Sequence, residues 1–98
     1  MGLKFIGEVG VYIPARSAIK ITALDGDRIV DCYARRSALE ALGCHAVTDA
    51  REMIHQFQRH REAIEVAAQV KYRRALAPML QVDVTAADLA ALQPASAA

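Results

Sequence analysis

The sequence predicts an α+β domain: a small antiparallel sheet of three to four strands packed against one long helix, with short helices after a hairpin and at the C-terminus. Three observations carry this reading. Ala18 to Tyr33 holds two alternating segments joined at Asp25-Gly26, and such a pair between alternating runs signals a β-hairpin because a tight turn needs positive φ. From Met53 to Ala75 apolar side chains recur at helical spacing with no Gly or Pro among them, the pattern of an amphipathic helix. Leu80, Val82 and Val84 then alternate with Gln81 and Asp83 as a final strand.

In chain order, Leu3–Ile6 reads as a short first strand. Gly7 and Gly10 loosen the next stretch, Val11–Ile13 is apolar again, and Pro14 ends a ladder or places this piece on an edge. In the hairpin Ile19, Ile21 and Ala23 share a face with Val30, Cys32 and Ala34, whether the turn centres on Asp25-Gly26 or slips. Lys20, Thr22, Asp31 and Tyr33 form the wet face, and this contrast sets the register. Ser37 and Glu40 match a capping box, opening a short helix that runs to about Leu42 with Gly43 as its C′ residue. The sequence leaves its start open between Arg35 and Ser37.

Thr48 or Asp49 caps the next helix, with Glu52 placed to reach back. Met53, Phe57, His60, Ile64, Ala68, Lys71 and Ala75 fall in one wedge. A continuous helix here would measure ~42 Å, while a domain of this size has a radius of gyration of ~13 Å. It must therefore project, bend near Gln58–Arg61, or lie against a partner. Thr85 and Asp88 cap a last helix through Leu92. Residues 1–92 are read as one domain and 93–98 as a frayed tail.

The chain has 98 residues and a formal net charge of +1, which argues against a dedicated nucleic-acid coat or a polybasic membrane anchor. One small core leaves modest stability, on the order of 5–10 kcal/mol, and sharing it with a second copy would help. Cys32 and Cys44 make no disulfide framework. The N-terminus shows no continuous apolar leader, and no run approaches the ~20 residues of a membrane span. A cytoplasmic location is the expectation.

Groups for chemistry are few. Cys44-His45 is adjacent in a loop, but neighbouring side chains usually point apart and no third orienting group is identifiable. His55 and His60 could join them in a zinc site only on paper, since five-residue spacing puts the two histidines on different faces of a helix. No Gly-rich phosphate loop or nucleophile elbow is present. No catalytic residue, cofactor or metal is assigned.

Two surface readings remain. Ala63, Val66 and Val70 form a second apolar strip roughly opposite the core wedge, and a homodimer packed helix to helix would cover it. The bland alternative is that small apolar residues on an exposed helix cost little. Arg59, Arg73 and Arg74, with Arg35 and Arg36, could meet phosphates. Because Glu62 and Glu65 interrupt the basic run, a solvated helix is preferred to nucleic-acid contact.

The ordered set Ala18-Ile19-Lys20-Ile21, Asp25-Gly26, Cys32, Ala38-Leu39 before Gly43, then Arg61, Ile64-Glu65, Ala68 and Lys71, then Thr85-Ala86-Ala87-Asp88-Leu89 resembles the small bacterial proteins of domain-of-unknown-function family 1488. That resemblance implies a compact α+β fold with helices on a small antiparallel sheet. It implies no activity, because the family is uncharacterised. It also reads Ile64, Ala68 and Lys71 as packing positions, with Arg61 at their margin. The functional expectation is a non-enzymatic cytoplasmic interaction or regulatory module, homodimeric, with an unidentified protein partner and no membrane contact. A weak nucleic-acid binder, and then a thiol- or metal-dependent enzyme, are the alternatives.

Overall fold

The computed structural model describes residues 2–43, 46–75 and 80–92. Among them are strands β1 (Lys4–Ile13), β2 (Ala18–Asp25), β3 (Arg28–Arg35) and β4 (Gln81–Val84), and helices α1 (Arg36–Gly43), α2 (Ala50–Arg59), α3 (Arg61–Arg74) and α4 (Ala86–Leu92). A short 3-10 turn, Pro14–Arg16, joins β1 to β2. The sheet order is β1-β2-β3-β4. The first three strands are antiparallel, and β4 runs parallel to β3. The all-antiparallel expectation is corrected here: the chain crosses the sheet through helices between β3 and β4, and such a crossover returns the strand in the same direction.

The hairpin face is as the alternation dictates. Ile19 pairs with Ala34, Ile21 with Cys32 and Ala23 with Val30, and all six are buried. The turn residues are Gly26 and Asp27, because Asp25 still pairs with Arg28. Gly26 has φ +65, so glycine takes the first central position, as in a type II′ turn. This one-residue shift preserves the facing pattern. Tyr33 departs from the expected wet face: it is buried, with the Arg16 guanidinium 4.5 Å from its ring centroid, so the turn before β2 folds over it.

The two N-terminal pieces are one strand. Ile6 pairs with Thr22 and Val11 with Lys20, so residues 7–10 stand against Ile21 alone. This bulge returns Tyr12, like Phe5, to the core side. Gly10 sits inside it against Ile19 and Phe57.

The single long helix resolves into two. His60, at φ −114 and ψ 22, ends α2 and starts α3. The His60 N–H donates the last bond of α2, to Gln56 O at 3.0 Å, and its carbonyl accepts the first of α3, from Ile64 N–H at 3.2 Å, so the two helices share this one residue at the bend. A straight helix over 50–74 would measure roughly 37 Å, longer than the molecule's greatest extent of 36 Å. The bend lets α2 lie over β1 and β2 while α3 reaches β4. Met53, Phe57, Ile64 and Ala68 of the expected wedge are fully buried.

Local caps follow the sequence unevenly. The Asp49 carboxylate accepts the Glu52 N–H at 2.8 Å. Thr85 and Asp88 cap reciprocally: the Thr85 N–H donates to Asp88 Oδ2 at 2.8 Å and the Asp88 N–H to Thr85 Oγ1 at 3.4 Å. The Ser37–Glu40 capping box does not form. Ser37 Oγ accepts the Ala86 N–H at 3.2 Å and Glu40 Oε2 accepts the Val47 N–H at 2.9 Å, so longer-range partners claim both side chains. The helix starts at Arg36, whose N–H donates to Ser17 O at 3.0 Å. The expected strand residue Leu80 lies just before β4 and is exposed. Gly43 closes α1. Pro78 and the tail 93–98 lie outside the described residues.

A Cβ at Gly10 would stand 2.2 Å from Ile19 Cγ2 and 3.0 Å from Phe57 Cε2, and the β-branched Ile19 cannot swing away. Gly10→Ala is expected to lower stability by roughly 1–3 kcal/mol, read as a fall in the urea midpoint.

Candidate interaction surface

Helix α3 is held on the sheet by side chains that bind backbone as well as by its apolar face. Ile64, Ala67, Ala68 and Tyr72 are buried. The Gln69 carboxamide takes both main-chain groups of Leu3: Oε1 accepts its N–H, and Nε2 donates to its carbonyl at 2.8 Å. Arg61 donates from one guanidinium nitrogen to Gly7 O in the β1 bulge and from Nε to Glu65 Oε2 at 2.7 Å. Lys71 Nζ donates to Asp83 O at 2.6 Å and to Asp88 Oδ2 at 3.0 Å. The Tyr72 hydroxyl donates to the Asp25 carboxylate. These ties fix the helix along its length and about its axis.

The rotation so fixed turns Val66 outward, 50% exposed, with Ala63 and Val70 half-buried beside it. A groove of about 300 Å³ flanks this strip on the β1 side, lined by Leu3, Phe5, Glu62, Glu65, Val66 and Gln69. Another of about 300 Å³ flanks it on the α4 side, where Val70, Lys71, Arg74 and Asp88 are among the lining residues. The helix carries Glu62 in its first turn and Lys71, Arg73 and Arg74 in its last, so its two ends differ in charge.

The five arginines read as phosphate contacts are spread. Arg59 ends α2, whereas Arg73 and Arg74 end α3, about 21 Å of helix away. Arg35 and Arg36 stand at the joint of β3 and α1. Arg35 lies 3.9 Å from Asp83 Oδ1, a partly exposed pair of small energetic worth. The other four are exposed. His55 is exposed on α2 and His60 is half-buried at the bend. Cys44 and His45 lie outside the described residues. Among the described residues no group of three His, Cys, Asp or Glu could hold a metal ion, and no helix is long and apolar enough to cross a membrane.

The surroundings of Cys32, Tyr72 and Asp88 shift their titration. Burial, helped by the Asp31 and Glu65 charges, pushes the Cys32 thiol up to about 12. The hydrogen bond to Asp25, then burial and the Asp25 charge, raises the Tyr72 phenol against the opposing Arg28. Burial is the largest single influence on Asp88 and raises it. Hydrogen bonds from the Thr85 amide, Lys71 and the Thr85 hydroxyl, with the Lys71 charge, outweigh it, so the carboxyl ends below its ordinary value of 3.8.

The model of a family described as a protein of unknown function (DUF1488) matches residues 3–79. The chain belongs to this family. Among solved structures it is similar to a DUF1488-family protein of unknown function from Shewanella loihica PV-4, with a TM-score of 0.65 and 24% sequence identity. The likeness covers 82% of this chain and 90% of that one, and at this identity it speaks for the fold. No curated protein matches. The family match stops short of Thr85–Leu89, the last segment of the sequence resemblance. Within it fall Arg61, which the sequence reads as a boundary charge, and Lys71, which it reads as a packing position; both prove to be donors to distant backbone carbonyls. Gln69, Tyr72 and Asp25 carry no local signal for their contacts, because their partners lie 66 and 47 residues away.

Two outcomes test this geometry. Asp88, being depressed, stabilises the fold fully above its ordinary value of 3.8, and that contribution fades as pH falls through the lower native value. Asp88→Asn is therefore expected to cost roughly 1–2 kcal/mol near neutrality, with the gap in urea midpoint narrowing as pH is lowered to about 2. In a Cys44→Ser background, Cys32 is expected to resist alkylation at mildly alkaline pH and to react only as the protein unfolds, measured by thiol release against denaturant.

Proposed function

We propose that the protein is a non-enzymatic interaction module of the bacterial cytoplasm, a homodimer whose contact face is Ala63, Val66 and Val70. The observation that carries this reading is Val66, half exposed on the outer wall of a helix whose inner wall is fully engaged. Covering the exposed half of the Val66 side chain is worth roughly 1 kcal/mol, and a two-fold contact would cover it in both copies. The remaining activity of such a module lies in contacts with another protein.

A rival reading has one observation in its favour. Arg36, Arg59, Arg73 and Arg74 are exposed, and none has an ion-pair partner among the described residues. It requires retention on duplex or single-stranded probes that falls steeply between low and physiological salt.

Light scattering on the purified protein at micromolar concentration is expected to give twice the protomer mass. Val66→Glu is expected to give the protomer mass with an unchanged far-UV circular dichroism spectrum, and a thermal midpoint that is lower than the wild type's and independent of protein concentration, because dimerisation stabilises the native state by mass action. A strict monomer in the wild type removes the dimer reading.

A further inference from the structure

Resting on that dimer reading, we infer that the two copies pair α3 against α3 antiparallel, with Glu62 of each facing the partner's Arg73. At 3.6 residues per turn, Glu62, Val66, Gln69 and Arg73 follow one another along the same flank of the helix. This is the flank beside β1: the groove there is lined by Glu62, Val66 and Gln69, and a Cβ on Gly2 would stand 3.0 Å from Arg73 Nη2. Glu62 and Arg73 are both exposed, and neither has an ion-pair partner among the described residues. Their charges are free to meet something outside the protomer.

A two-fold axis across the middle of α3, one to two residues from Val66, brings residues on the same flank at equal distances from the axis face to face. Glu62 and Arg73 stand ~16 Å apart along the helix, and this axis bisects them. The apolar strip then meets itself at the crossing, while an acidic end and a basic end close each side. The parallel arrangement would set Glu62 against the partner's Glu62 and Arg73 against the partner's Arg73, two like-charge contacts. Helix dipoles also favour the antiparallel pairing, because the positive N-terminal end of one α3 then lies beside the negative C-terminal end of the other. The face is thus self-complementary in charge, as an isologous contact demands.

The test compares dimer dissociation constants by sedimentation equilibrium at low salt for the wild type, Glu62→Arg, Arg73→Glu and the double exchange. Each single reversal turns two attractive surface pairs repulsive and is expected to weaken the dimer about tenfold. The double exchange restores opposite charges and is expected to return affinity to within about threefold of wild type. A wild-type dimer that neither single reversal weakens, or that the double exchange leaves as weak as the singles, overturns the antiparallel pairing while the dimer reading stands. A wild-type monomer fails the dimer reading itself, and this inference with it.

Discussion

The clamp between α3 and the sheet's backbone is the constraint on which the outer surface depends. Apolar contact alone would let a helix of Ile, Ala and Tyr roll by part of a turn at little cost, because such packing is non-directional. Hydrogen bonds are directional. Gln69 holds both main-chain groups of Leu3, Arg61 holds Gly7 O, and Lys71 holds Asp83 O. Together they span from the start of the helix to its end and from β1 to β4. Rolling the helix would give up these bonds, each worth about 0.5–1.5 kcal/mol net and more where Arg61 or Lys71 donates from a charged group. Val66 faces outward because these bonds leave it no other direction.

The same clamp relies on a sheet with one dry face. Ile19, Ile21, Ala23, Val30, Cys32 and Ala34 are buried together, and Val82 and Val84 extend that layer onto β4. The bulge in β1 keeps Phe5 and Tyr12 on the same side and brings Gly7 within reach of Arg61. One irregular segment therefore serves the core, through Gly10 against Phe57, and the helix anchor, through the Gly7 carbonyl.

Elements governed by near neighbours are legible in the sequence. The hairpin faces, the Asp49 cap, the Thr85–Asp88 box and the wedge from Met53 to Ala68 follow from side chains within about four residues of one another. The Ser37–Glu40 pair shows the limit. Its spacing suits a capping box, yet Ala86 and Val47 bind those side chains instead. Tyr33 shows it again: its alternation assigns it to solvent, and Arg16 covers it from a neighbouring turn.

What the amino-acid order determined by itself is the α+β class, the dry face of the hairpin, the buried wedge of the helices and the presence of an unused apolar strip, because periodicity and capping act over one or two turns of chain. Tertiary structure decided the parallel direction of β4, the bend at His60 and the anchoring of α3 through Gln69, Arg61 and Lys71. Those outcomes depend on which distant backbone groups need partners and on how long a helix the sheet can carry. Neither quantity exists until the elements are packed together.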